Sequence, residues 1–282
     1  MLAVHTFWSK PCRIKNHDAV VISDIEMLVL ALSALEWKKH NGTIIMVTDT
    51  QGLSYFEEHD ILDIWDDCRT DMDDLETIDP FSFWAAGKLY ALKLVSKPCV
   101  MLDTDMIIWK NIRCVFDHDI VVAHKEDITD ATYPSPLDFV PKPGKRFYLP
   151  KEWDFSLSAA NTAFLYIEDA AFAAYYVESA FEWMDAMDTS HLSPIQSMCF
   201  AEQRLLPVCA KAKHKTVVEL LDYHNLDQQD FCTHLWGAKK EICQSEELNA
   251  FYCRQCMLRL ENEYPTVFDN LCRKQRFRRY CL

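Results

Sequence analysis

The stretch "MLDTDMIIW", residues 101–109, sets Asp103 and Asp105 one residue apart inside an apolar run. Carboxylates left unpaired among apolar side chains are costly. Two readings are open. The pair is a turn after a buried strand, where aspartate bonds nearby backbone. Or, in an extended segment, residues two apart point the same way, and the two carboxylates converge on a hard divalent cation of the kind that bridges protein to substrate phosphates. A second stretch, "FCTHLWGAKKE", places His234, Gly237 and Lys240 at H-x-x-G-x-x-K spacing. An imidazole is a metal ligand, a glycine lets backbone approach a ligand closely, and a lysine acts as a point charge on phosphate. Together the two stretches favour the cation reading, with a metal–diphosphate gripped from opposite sides.

Positioning such groups needs strands that end at them. "LAVHTFW" reads as a strand, "AVVISDIEMLVLALSALEWKKH" as a helix with a buried face, and "NGTIIMVTDT" as a turn, a strand and an acidic exit. "LSYFEEH" follows as a short helix, "ILDIWDD" as a strand, and "DPFSFWAAGKLYALKLVSK" as a helix opened by Asp79-Pro80. "PCVMLDTDMIIW" and "IVVAHKED" are further strands, and residues 128–151 form a long loop of the sort that covers sites. "SLSAANTAFLYIED" returns to strand character before the helix "AAFAAYYVESAFEWMDAM". Strands alternating with helices predict an α/β fold with a mostly parallel sheet flanked by helices, its ligand site beyond the strands' carboxyl ends. No repeat or linker interrupts it, so residues 1–240 read as one domain and residues 241–282 as a helical, cysteine-containing extension with a basic tail.

The chain is 282 residues long, half of it apolar, with a net charge of −14 that opposes attraction to nucleic acid. Neither a leader-like start nor a run long enough to span a bilayer is present in the sequence, which predicts a cytoplasmic protein. Twelve scattered cysteines then read as mostly free, buried thiols. The C-x-x-C of Cys253 and Cys256 lies in a helix-like stretch and offers one ligand pair where structural zinc draws on two. "RKQRFRR", five basic residues in seven, is either a solvated helix end or a contact with an anionic membrane, which would place the protein at the inner membrane face.

In order and placement these stretches resemble the GT-A glycosyltransferases, most closely the glycogenin-like retaining enzymes that use UDP-sugars, over residues 3–240. The resemblance implies the nucleotide-diphospho-sugar transferase fold. It also implies Mn²⁺ (or Mg²⁺) on Asp103, Asp105 and His234, and the donor diphosphate against Asp103, Gly237 and Lys240. Thr104 would meet the ribose through its backbone, and Thr6 in "AVHTFW" would lie at the nucleotide. "AGKLYALKL" nominates Lys88 as a donor contact, "SAANTAFLYI" nominates Asn161 and Thr162 for the sugar pocket, and "FAEQRLL" nominates Glu202 and Gln203 as catalytic. Three departures fall where sugar and acceptor are read: Lys240-Glu241 for a common Lys-Pro-Trp, Glu202-Gln203 for Asp-Gln, and Thr162-Ala163 where glycine is common.

The reaction so implied moves a hexose from a UDP-sugar to a hydroxyl of a carbohydrate, glycolipid or protein. It runs with retention if Gln203 stabilises the sugar, and with inversion if Glu202 is a general base. Two rivals are a sugar-phosphate nucleotidyltransferase, against which "TFWSKPCRIK" lacks a Gly-rich basic loop, and a non-catalytic scaffold of the same fold.

Overall fold

Seven main strands carry an α/β architecture in the computed structural model, which describes residues 1–281. In chain order the strands are β1 (Leu2–Phe7), β2 (Ile44–Thr48), β3 (Asp67–Arg69), β4 (Cys99–Leu102), β5 (Met106–Ile108), β6 (Ile120–Glu126), β7 (Val140–Pro141), β8 (Ala159–Ile167), β9 (Met187–Asp188), β10 (Val217–Glu219) and β11 (Cys232–His234). The helices are α1 (Ser9–Lys15), α2 (Asp24–His40), α3 (Thr50–Glu58), α4 (Ala86–Leu94), α5 (Ala170–Ala186), α6 (Pro194–Cys199), α7 (Leu205–Ala212), α8 (Ala238–Gln244), α9 (Glu246–Glu263), α10 (Pro265–Arg273) and α11 (Gln275–Arg278). Two compact units share them. The first holds Met1–Thr70, Asp103–Ile112 and the chain from Gln229 onward; the second holds Asp71–Leu102 and Arg113–Gln228.

In the first unit β1, β2 and β3 pair in parallel, and the small ribbon of β5 and β11 is antiparallel. Helix α2 begins at Ser23, whose hydroxyl accepts from the Glu26 N–H while the Glu26 carboxylate accepts from the Ser23 N–H. This reciprocal cap satisfies two orphan donors, and Lys38, Lys39 and His40 sit in the last turn, where the helix dipole favours cations. Helix α2 packs on β5 and on α9, so it is buried nearly all round. The basic tail turns inward. Arg276 and Arg279 both pair with Asp24, Tyr280 donates to Asp24 at 2.7 Å, and Lys274 pairs with Asp60.

In the second unit the strand order is β10-β6-β8-β4, with β10 parallel to β6 and β8 antiparallel to both its neighbours. All nine residues of β8 are buried, as expected of a strand covered on both faces. Among the described residues, no helix is long and apolar enough to cross a membrane.

Four sequence expectations need correction. "ILDIWDD" forms a 3₁₀ turn at Leu62–Ile64 before the three-residue β3, because Ile61, Ile64 and Trp65 act as single core anchors rather than as one face of a strand. Asp79 caps only a turn, accepting from the N–H groups of Phe81 and Ser82, and the helix starts later, at Ala86. Asp103 and Asp105 lie not in extended chain but in a reverse turn, the Met106 N–H donating to the Asp103 carbonyl at 3.0 Å. Last, Cys272 and Cys281 form a disulfide, their Cα atoms 6.3 Å apart across the α10–α11 bend, within the usual span for such a bridge. Ten cysteines are free, and four of these are buried.

Candidate functional site

The nominated residues fall into two sets, one in each unit. In the first, β4 ends at Leu102 and the chain reverses through Asp103, Thr104 and Asp105 into β5. Strand β11 then runs antiparallel to β5 with His234 opposite Met106, and the Leu235 N–H donates to the Asp105 carbonyl at 3.1 Å. That register carries the His234 imidazole to the turn. Single ligand atoms of Asp103, Asp105 and His234 all lie within 4.8 Å of one another, and His234 Nε2 is 3.6 Å from Asp105 Oδ1. Two carboxylate oxygens and an imidazole nitrogen are a donor set suited to a divalent cation of intermediate hardness. Among the described residues it is the one set of three such groups.

A buried relay fixes the strand behind the turn. Trp65 Nε1 lies 3.2 Å from His5 Nδ1, His5 Nε2 lies 3.0 Å from Ser33 Oγ, and Ser33 donates to the Met106 carbonyl at 2.5 Å. An indole N–H can only donate, so His5 accepts at Nδ1 and carries its proton at Nε2. Burial pushes the His5 pKa down to about 3 against the opposing pull of Asp105, which keeps the ring neutral and the relay running one way.

On the other flank, Lys239 Nζ lies 3.2 Å from Asp105 Oδ2 and 3.1 Å from Glu26 Oε1. Burial by itself would raise the Asp105 carboxyl, but hydrogen bonding to His234 and the Lys239 ammonium outweigh it and hold it well below the usual carboxylate range. The nominated Lys240 is exposed at the next position of α8. Gly237 precedes α8 in an ordinary helical conformation, and no described atom lies within 4 Å of where a Cβ would stand. Nothing in the fold therefore calls for glycine there. Thr6 is half-buried on β1 opposite Val47, and Thr104 is half-buried in the turn.

The second set gathers on β8 and on one unusual turn. Between α6 and α7 the helix widens into a π-turn, Phe200–Arg204, a form frequent at functional sites. It aims Glu202 inward and leaves Gln203 half-buried. Lys88 Nζ lies 2.8 Å from Glu202 Oε1 and donates to the Thr162 carbonyl at 3.0 Å. The Thr162 hydroxyl donates to the same Glu202 oxygen at 2.8 Å, and the Tyr176 hydroxyl to the Glu202 backbone carbonyl at 2.7 Å. Asn161 donates to Glu126 Oε1 at 2.9 Å, while its own Oδ1 accepts from the Ala163 N–H at 3.0 Å. The buried Tyr133 hydroxyl lies 2.6 Å from Glu126 Oε2 and 2.6 Å from Gln203 Oε1. Burial first, and then Glu126, push that phenol above its usual range.

Sequence reasoning missed Lys239, Glu26, Glu126 and Tyr133. The Ser23-x-x-Glu26 capping signature and the acidic exit of "IVVAHKED" were the signals available for two of them.

No curated protein matches the chain in sequence. Among solved structures, the glycosyltransferase GlyE of Streptococcus pneumoniae TIGR4 superposes at a TM-score of 0.39 and 11% identity, covering 79% of this chain and 46% of that one. The chain thus spans under half of GlyE. Mouse xyloside xylosyltransferase 1, in its apo form, gives 0.37 and 11%, covering 81% and 90%. A family model described as a family of unknown function, DUF6734, matches residues 1–274, and the chain belongs to that family.

Proposed function

We propose that the protein is a metal-dependent glycosyltransferase that moves a hexose from a nucleotide-diphosphate sugar, UDP-hexose in the first instance, to a hydroxyl acceptor. The observation that carries the reading is the convergence of Asp103, Asp105 and His234 on one point. These residues would hold Mn²⁺ or Mg²⁺, which when bound supplies electrostatic stabilisation to a leaving diphosphate. Gly237, open to solvent at the start of α8, is the position we assign to the donor's approach.

The protein's own groups have separable roles. Lys239, and Lys240 on the exposed side of α8, supply positive charge to a diphosphate. Asn161 and Thr162 are the residues we assign to the sugar, and Gln203 the one we assign to stabilising it. Glu202 is already engaged by Lys88 and Thr162, which favours retention over its use as a general base. In the balanced reaction the bond from the anomeric carbon to the diphosphate oxygen breaks, the acceptor oxygen bonds to that carbon, and the acceptor proton leaves with the nucleoside diphosphate.

The test is a screen of UDP-hexoses with Mn²⁺, reading thermal shift and released nucleotide. Donor-dependent stabilisation with UDP release, lost in Asp105→Ala, is the expected result. Pyrophosphate release from a nucleoside triphosphate and a sugar phosphate would assign a nucleotidyltransferase instead. Absence of any donor or metal binding would overturn the proposal.

A further inference from the structure

The Tyr133 hydroxyl has one proton and two acceptors facing it, Glu126 Oε2 and the amide atom assigned as Gln203 Oε1, each at 2.6 Å. Which neighbour receives the proton follows from the rest of the network. The Ala163 N–H can only donate, so the Asn161 oxygen faces it and the Asn161 NH₂ faces Glu126. Glu126 thus receives an N–H on Oε1, and its Oε2 stands against the phenol. A carboxylate can only accept, and the Tyr133 proton goes to it.

The phenol oxygen then presents lone pairs alone to Gln203. With that proton on Glu126, Gln203 Oε1 in its assigned place at 2.6 Å sets lone pairs against lone pairs with no hydrogen between them. The two ends of a glutamine amide are assigned from their hydrogen-bond network, and here the network requires the NH₂ end toward Tyr133. The carbonyl oxygen is then turned away from it. We infer that Tyr133 and Glu126 are positioning residues that fix the Gln203 amide by its nitrogen and so present its carbonyl oxygen to the reacting sugar. The presentation to sugar rests on the transferase reading; the amide orientation does not.

The surroundings hold the backbones on both sides of the contact. Glu126 ends β6, and the Tyr133 N–H donates to the Thr129 carbonyl at 2.7 Å. The Tyr133 ring is 1% exposed and packs with Ala159 and Cys199. Gln203 sits in the π-turn with its backbone held on both sides by helix. Both residues are thus anchored through their backbones.

Two readouts test this on the full chain. In ¹H–¹⁵N spectra the Gln203 side-chain NH₂, identified by its disappearance in Gln203→Ala, is expected to be protected from solvent exchange in the wild type and to lose protection in Tyr133→Phe. Glu126→Gln, whose new amide can donate to the phenol and reverse the chain, is expected to free the Gln203 NH₂ as well. With an active donor, both variants should lower kcat about tenfold or more while donor KM moves little, and Tyr133→Phe should add nothing to Gln203→Ala. An unprotected Gln203 NH₂, or protection unchanged in Tyr133→Phe, overturns the orientation even if transfer is robust. Protection that behaves as expected, with kcat unchanged in both variants, overturns the positioning role. Protection as expected with no transfer by the wild type from any hexose donor overturns the transferase reading and with it that role, while the orientation stands.

Discussion

His234 stands opposite Met106 across the β5–β11 ribbon, and this register alone brings its Nε2 to 3.6 Å from Asp105 Oδ1. The imidazole and the carboxylate are 129 positions apart in the chain, yet a three-residue pairing fixes their meeting. Asp105→Asn and His234→Gln should therefore each weaken Mn²⁺ binding by about tenfold or more, roughly 1.4 kcal/mol, in isothermal titration. Equal affinity in either variant would remove that residue from the donor set.

Gly237→Ala separates ligand approach from folding. The position is helical and open, so the variant should melt within about 1 kcal/mol of the wild type. Donor KM, in contrast, should rise. A destabilised variant with unchanged KM would assign the glycine to the fold.

His5 gives a pH dependence with a definite sign. Its folded pKa of about 3 lies below the unfolded value of 6.5, so the unfolded chain takes up the proton first as pH falls. The contribution of a neutral His5 is complete above pH 6.5 and declines below it, by about 1.4 kcal/mol per pH unit until about pH 3. Urea midpoints of wild type and His5→Gln, measured from pH 7 to pH 5, should converge as pH falls. Parallel curves would contradict a neutral, buried ring.

Lys88 and Glu202, 7% and 3% exposed, form a buried pair whose halves depend on each other. Lys88→Met leaves a buried carboxylate without its cation and should cost about 3–5 kcal/mol. Adding Glu202→Leu should recover part of that loss in the same denaturation measurement. Additive losses would show that the two side chains act separately.

The disulfide is checked by counting. Twelve cysteines and one bridge leave ten thiols for a chain unfolded without reductant, and all twelve should react after reduction. Twelve in both conditions would exclude the bridge.

Much of this was legible in the sequence because it follows from local pattern. Strand β1, the capped helix α2, strand β2, the nine-residue β8 and helix α5 all lie where apolar periodicity puts them. The two stretches that opened the reading do supply one three-residue donor set. What escaped was set by pairing between distant segments. Lys239 rather than Lys240 meets Asp105, because the entry of α8 from Gly237 decides which of two adjacent lysines faces the turn. Tyr133 lay in a segment read only as loop, and its role depends on Glu126 and Gln203, to which no spacing rule connects it. The disulfide escaped because thiol state was inferred from a presumed compartment, whereas the α10–α11 bend brings the two cysteines together.

The π-turn at Phe200–Arg204 makes chain length itself part of the design. Adjacent residues there serve different partners, Glu202 with Lys88 and Thr162, Gln203 with Tyr133. Deleting Ala201 would change no side chain that touches them. It would nonetheless remove the extra residue that widens the turn, and rotate everything on one side of it by about 100° relative to the other. Both partnerships would be lost together, so a deletion at this point is a harsher change than any single substitution nearby, and length variation in this helix should be tolerated far less than in the exposed chain around Gly144.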